Sequence, residues 1–326
     1  MGISRRRFIA HASVTALFPL TGVGAQAQAA YPNRPIRLLV GFAPGGSTDT
    51  VARLVGQALG ERLGQSLIIE NRPGAGTNIA TEAAIRSAPD GYTLLMVGPS
   101  VAINATLYKE LNFNFLRDAD PVSSIASQAQ VMLINPKLPF KTVPKLIDFA
   151  KKNPGKLTVA SAGIGSIGHL TGELFKMKAG VDLLHVPYRG AAPALADLVS
   201  GQVDISFAGI AGAVEFVKSG MLHALGVSTK TRSDRLPDVP VIADFVSGFE
   251  SNDWFGMAAP KNTPPEIVAL LNREIAAAVA NPKLKARFAD LGAASMPMQP
   301  TEFGRLLNED TQKWGEIVRT ANIKPI

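Results

Sequence analysis

The chain has no cysteine. That excludes disulfides, thiolate metal sites and a cysteine nucleophile. Histidines are few and show no metal-ligand spacing. No G-x-S-x-G elbow is present, since Ser166 has Ile164 two residues before it. Beyond the first thirty residues no stretch is long and apolar enough to span a membrane. Basic residues are only mildly in excess, with 33 Lys and Arg against 26 Asp and Glu. They form no block and do not interleave with aromatics, so no nucleic acid partner is expected.

What is present begins with an export signal over residues 1–29. Ser4-Arg5-Arg6-Arg7-Phe8-Ile9 is followed by an apolar region from Ala10 to Val23. Ala25-Gln26-Ala27 and Ala27-Gln28-Ala29 then offer small-x-small cleavage sites, so cleavage is expected between Ala27 and Tyr31. Paired arginines before Phe8 resemble the twin-arginine signal, and an ordinary secretory signal remains open. The protein is thus expected in the periplasm. Removing the three arginines lowers the net charge from +7 to +4. Without disulfides the mature chain must rely on its core, and at roughly 300 residues it is long enough to form two domains.

The organising stretch is Phe42-Ala43-Pro44-Gly45-Gly46-Ser47-Thr48-Asp49. Ile36–Val40 before it reads as a buried strand. Val51, Ala52, Leu54, Val55, Ala58 and Leu59 after it recur at helical spacing. Pro44 removes a donor, the glycines permit a tight turn, and Ser47, Thr48 or Asp49 can cap the helix. Free N–H groups at the positive end of a helix make an anion site without cationic side chains.

The rest alternates strand and helix. Strand Ser66–Glu70, a second glycine loop over 71–78, helix Ile79–Ser87 and strand Tyr92–Val97 follow, ending at Gly98-Pro99-Ser100. This predicts a parallel sheet covered on both faces, with ligands at the carboxyl ends of its strands. From about Ser124 the rhythm changes. Ile125–Asn135 reads as a long strand and Thr142 opens a helix ending near Lys152. Lys156–Ala160 is a strand before the loop Ser161–His169. Helix Leu170–Ala179, strand Asp182–Pro187, helix Pro193–Ser200 and strand Val203–Phe207 come next. A loop of small residues, Ala208–Gly212, then precedes helix Ala213–Lys218 and strand Leu222–Val227. Trp254–Ala259 is a return strand, Thr263-Pro264-Pro265 starts a helix, and two amphipathic helices end the chain. Two lobes are expected, 30–124 with 253–326, and 125–252. Each offers a glycine loop and helix end to a shared cleft.

Other chemistry fits less well. Gly163-Ile164-Gly165-Ser166-Ile167-Gly168 matches G-x-G-x-x-G, but no acid ends the following strand, where Tyr188-Arg189 stands. His185 and His223 fall in predicted strands, and His169, at a helix start, can serve either the cap region or a ligand. Asp49 and Arg53, four apart, read as a surface ion pair. No set of acid, base and nucleophile is evident, so no enzyme, metal or cofactor is expected. An exported ligand sensor, or an exported enzyme on an α/β scaffold, are the alternatives to a binding protein.

With Ala52-Arg53, the organising stretch resembles the P-G-G-x-x-D-x-x-A-R signature of the Bug receptors, the extracytoplasmic receptors of tripartite tricarboxylate transporters. Glu70–Gly76 is similar to their second signature. Val186-Pro187-Tyr188-Arg189-Gly190 and Gly201-Gln202-Val203-Asp204 are similar to two more, and Trp254-Phe255-Gly256 with Ala259-Pro260 fits their return strand. The resemblance implies a two-lobed α/β periplasmic binding protein, type II-like. Each lobe would be a central sheet flanked by helices, with the ligand in the interlobe cleft. It implies capture of a small organic acid and delivery to a membrane permease by a monomer. The implied ligand-binding residues are Phe42, Ala43, Pro44, Gly45, Gly46, Ser47, Thr48, Asp49, Asn78, Ser100, Ser161, Ala162, Gly163, Gly165, Ser166, His169, Tyr188, Arg189, Gly190 and Asp204.

Overall fold

The structure, a computed structural model, describes residues 31–321 and 323. The expected export signal lies outside them.

The apolar run β1 (Ile36–Val40) is almost wholly buried and pairs in parallel with β2 (Leu67–Asn71) and β3 (Thr93–Val97). The crossovers are α1 (Ser47–Leu63) and α2 (Asn78–Ile85). Gly64, at φ 68, closes α1 with a left-handed cap that few side chains would accept. After β3 the chain does not simply end its strand at Ser100, as expected. It forms α3 (Ser100–Leu107) and the short α4 (Phe115–Asp118). Six of the eight residues of α3 are buried, including Ser100 and Asn104, so it lacks the polar stripe that marks a surface helix in a sequence.

Next comes β4 (Ala119–Ile134), which begins six residues before the expected Ile125. Asp120-Pro121 breaks the apolar pattern there. The proline is accommodated where the register with β9 shifts, between Pro121 and Ser123. The second unit runs α5 (Val143–Lys152), β5 (Thr158–Ser161), α6 (Ile167–Ala179), β6 (Leu184–Pro187), α7 (Ala191–Ser200), β7 (Ile205–Gly209), α8 (Ile210–Lys218) and β8 (His223–Val227). The expected small-residue loop over 208–212 is absent. β7 passes directly into α8 at Gly209, because small residues suit a tight strand-to-helix junction. The return strand β9 (Asn252–Pro260) leads to α9 (Pro265–Ala280), α10 (Pro282–Asp290), β10 (Ala293–Ser295) and α11 (Pro300–Thr320).

The strand order is β2-β1-β3-β9-β4-β7-β5-β6, with β8 and β10 also on β4. Its length lets β4 serve two lobes. Ala119–Ala129 pairs antiparallel with β9, and Gln130–Ile134 pairs with β7. Leu39, Leu95, Trp254 and Phe303 pack in the first lobe's core, and Met132, Phe175, Phe207 and Phe249 in the second's. Where β4 changes lobes, Ser228 stitches it to the returning chain. The Gln130 N–H donates to Ser228 Oγ at 2.9 Å, and Ser251 N–H donates to the Ser228 carbonyl at 3.0 Å. Among the described residues no helix is long and apolar enough to cross a membrane.

Candidate ligand site

The two glycine loops face each other across the lobes. Ala43 N–H donates to the Arg189 carbonyl at 3.3 Å, and Ser47 Oγ donates to the Gly209 carbonyl at 3.4 Å. Ala211 N–H donates to Gln128 Oε1 at 3.0 Å. Between them lies a cavity of about 60 Å³ that is partly open to solvent. That is well above the roughly 10–15 Å³ needed to admit a water molecule.

The wall of this cavity is built from helix beginnings. Gly46, Ser47 and Thr48 open α1, Pro99 and Ser100 open α3, and Ser166, Ile167 and Gly168 open α6. Ala191 opens α7, and Gly209 caps α8. Each helix start carries roughly half a positive elementary charge on unpaired N–H groups. Among the described residues no Lys, Arg or His side chain lines the cavity. The positive character that these helix starts bring comes from backbone dipoles rather than cationic side chains, an arrangement that suits a small anion.

Asp49 organises the first loop from beneath. It is buried, and its oxygens accept from Gly45 N–H at 3.0 Å, from Arg53 Nε and Nη2 at 2.9 Å each, and from Asn71 Nδ2 at 2.9 Å. Asn71 Nδ2 also donates to the Phe42 carbonyl at 3.0 Å. Burial works to raise the Asp49 pKa, but the bonds from Arg53, Gly45 and Asn71 outweigh it and hold the carboxyl below its usual range. The pair with Arg53 is therefore not the surface pair expected. Its acid end holds Gly45 at φ 90, a backbone conformation that glycine tolerates.

The second loop is ordered in the same manner. Ser166 Oγ donates to the Gly163 carbonyl at 2.7 Å and accepts the His169 N–H at 3.3 Å, capping α6. His169 Nδ1 accepts from Gly165 N–H at 3.3 Å, which sets its ring against His185 with centroids 4.0 Å apart. Ser161 Oγ lies 2.7 Å from His185 Nε2. Burial takes His169 down to about pKa 3, with His185 and Lys176 adding to it, and takes His185 down to about 4. Both rings are neutral supports for the loop.

A family model, the tripartite tricarboxylate transporter family receptor, matches residues 51–323. The chain belongs to this family. It is 36% identical over 297 residues to protein BugT of Bordetella pertussis, covering 90% of this chain and 91% of that one. Among solved structures it is similar to Rpa4515 of R. palustris with adipate, at 34% identity and TM-score 0.88 over 91% of this chain and all of that one. MatC from Rhodopseudomonas palustris with bound malate matches at 32% identity and TM-score 0.85, over 88% of this chain and 100% of that one. The fold is that of two-lobed periplasmic binding proteins.

Of the residues the Bug resemblance singled out, the cavity gathers Phe42, Gly46, Ser47, Thr48, Ser100, Ala162 and Ser166. Phe42, Ala162, Gly163, Tyr188 and Arg189 line a second, more open hollow beside it. Ala43, Pro44, Gly45, Gly165 and Gly190 line neither hollow; Gly190 lies close against Ala43, and Gly45, Gly165 and Gly190 hold positive φ. Asn78 is buried and accepts from Asn104 Nδ2 at 2.9 Å, while its own Nδ2 has no protein partner. Tyr188 donates from its hydroxyl to Asp197 at 2.6 Å, and burial, with that bond, pushes its pKa up to about 12. Asp204 lies elsewhere. Its Oδ2 accepts from Thr158 N–H and Oγ1 at 2.9 Å each, tying β7 to β5.

Sequence reasoning missed Gln130, Ser206, Phe255, Ala191 and, above all, Asp253, which all line the cavity. For four of them no local signal exists. Asp253 did carry one, because an acid directly before the apolar run Trp254–Ala259 would be buried at high cost unless it had a purpose.

Proposed function

We propose that the mature chain is a periplasmic receptor that closes on a small organic acid and delivers it to a tripartite tricarboxylate-type membrane permease. The observation that carries this reading is an interlobe cavity ringed by helix beginnings, with no cationic side chain lining it among the described residues. Family membership supports it. So do the adipate and malate held by two related structures, both small carboxylates. The reading as a receptor rather than an enzyme rests on that family and fold.

In this reading the lobes divide where β4 exchanges β9 for β7 as its partner, at Ala129/Gln130 rather than the suggested 124/125, and at 252/253, with bending at these crossings. The receptor works as a monomer after removal of its signal. Helix ends contribute roughly 0.3–1 kcal/mol each when exposed and up to about 2 when partly buried. Charge-assisted hydrogen bonds add about 1.5–3 kcal/mol. After ordering costs, micromolar binding, about −8 kcal/mol, is in reach.

Native mass spectrometry of freshly purified protein, followed by thermal shift against mono-, di- and tricarboxylates, tests this. At a ligand concentration about 100 times Kd the protein should gain about 2.7 kcal/mol. Gly45→Val should cut the shift more than Arg189→Ala, since valine resists φ 90 while Arg189 is exposed at the rim. The opposite order would mean an arginine clamp rather than backbone dipoles holds the acid.

A further inference from the structure

One group in the cavity wall has the wrong sign for an anion site. Asp253, at the start of β9, lines the cavity and is 6% exposed. It faces three donors. Gln128 Nε2 donates to its Oδ2 at 2.7 Å, Gln130 Nε2 donates to the same oxygen at 3.2 Å, and the Trp254 backbone N–H adds a third bond. The Gln128 orientation is set independently, because its Oε1 accepts the Ala211 N–H at the start of α8. Asp253 is therefore an acceptor in each of these contacts.

Of the cavity's other polar side chains, Gln130 donates to it, and Thr48 and Ser100 also line the wall. Ser47, Ser166 and Ser206 each donate their hydroxyl to a backbone carbonyl, those of Gly209, Gly163 and Ala160. Among the described residues no cationic side chain lines the cavity with Asp253. Behind it stands another acid, Asp310, which accepts from Trp254 Nε1 at 2.6 Å. Helix ends can receive one carboxylate of a ligand. A second carboxylate next to Asp253 would share a buried spot with it, so either two like charges meet where repulsion is poorly screened or one of the pair must hold a proton. A hydroxyl or ammonium at that position would instead supply a further donor to an oxygen-rich spot.

We propose that Asp253 is a specificity-determining residue: it selects organic acids that carry a hydroxyl or ammonium group opposite the helix-bound carboxylate, and it disfavours a second carboxylate at that place. The assignment rests on the carboxylate-receptor reading above and adds the chemistry of the ligand's other end. Burial of the Asp253 carboxyl, with Asp310 adding to it, already pushes its pKa up to about 7 against the bonds from Gln128 and Trp254. A donor from the ligand would relieve that burial cost.

The test is calorimetric titration of dialysed wild type with acids of three to six carbons. They are taken in matched sets whose far end is carboxylate, hydroxyl or ammonium. At one chain length or more, the hydroxy or amino acid should bind about 10-fold tighter than the diacid of equal length. In Asp253→Asn that preference should shrink by about 10-fold, and the diacid should gain. Wild type that prefers the diacid at every length overturns the proposal, as does an Asp253→Asn protein with unchanged preference. Should the variant not fold, the wild-type series alone decides. If acids bind without discrimination, the receptor reading stands and the role of Asp253 falls. If no acid binds at all, both fall.

Discussion

A buried carboxyl and a buried histidine pair give this protein opposing responses to pH. Asp253 has a folded pKa raised to about 7 by burial, against an unfolded value of about 3.9. Between those values the folded state keeps a proton that the unfolded state has lost, so this group lowers stability as pH rises through that window. His169 and His185, lowered to about 3 and 4 by burial, act the other way. Their contribution is present above about pH 6.5 and is lost as pH falls toward those values. Asp310, also raised by burial, shares the sign of Asp253. Comparing Asp253→Asn with wild type cancels the histidines and, to first order, Asp310. The variant's relative stability should rise between about pH 4.5 and pH 8, by up to about 3 kcal/mol. Urea unfolding at both pH values checks this, and a difference that does not change with pH would show that Asp253 does not titrate in the window.

At the scale of elements, the cavity depends on how closely helices approach strands and the opposite lobe. Gly209, where β7 turns into α8, has no room for a side chain. A Cβ there would overlap Gln128 Nε2 and come within 2.7 Å of Ser47 Oγ. Both neighbours belong to elements across the cleft, so Gly209→Ala should oppose closure more than it harms either core. The unliganded protein should lose only about 1–3 kcal/mol of stability. Affinity for whichever acid shifts the wild type should fall by at least about 10-fold, as calorimetry would show. Undiminished affinity would mean that the lobes need not approach this closely. Gly168 makes a similar approach within one lobe, since a Cβ there would overlap the Phe207 carbonyl oxygen. That contact seats the start of α6 against β7, and so aims its free N–H groups into the cavity.

The described residues from Pro32 onward form one compact unit in which the lobes touch across the cleft. Across the cleft run the polar Ala43–Arg189, Ser47–Gly209 and Gln128–Ala211 bonds and, to one side, an apolar cluster in which Ala102, Ile103, Leu107, Trp314 and Val318 pack on Ile167 and Leu170. The bonds are worth roughly 0.5–1.5 kcal/mol each, so on the glycine-loop side the unliganded lobes are held weakly and can part, with the apolar cluster as the pivot. Small-angle scattering should therefore show a larger radius of gyration without ligand and compaction at saturation. An unchanged profile would mean that the lobes do not move. Affinity should respond weakly to salt, because enclosed dipoles are poorly screened.

The sequence alone determined the α/β rhythm, the two glycine loops and the family. Those features are local: an apolar run of strand length, glycines at a turn, and helical spacing after it. It also marked Ser47, Ser100 and Ser166, which sit at the starts of the helices that form the cavity wall. Tertiary structure decided the rest. The eight residues of α3 are buried on most sides, so their helix leaves no periodic trace. Asp49 and Asp204 match the family's signatures yet bond to the scaffold rather than line the cavity, because their partners Asn71 and Thr158 come from neighbouring strands. Asp253 became a cavity residue only when the return strand β9 lay beside β4 and brought Gln128 and Gln130 to it. A sequence records which groups could meet at short range along the chain. Which groups meet across the cleft depends on a strand that arrives more than a hundred residues later.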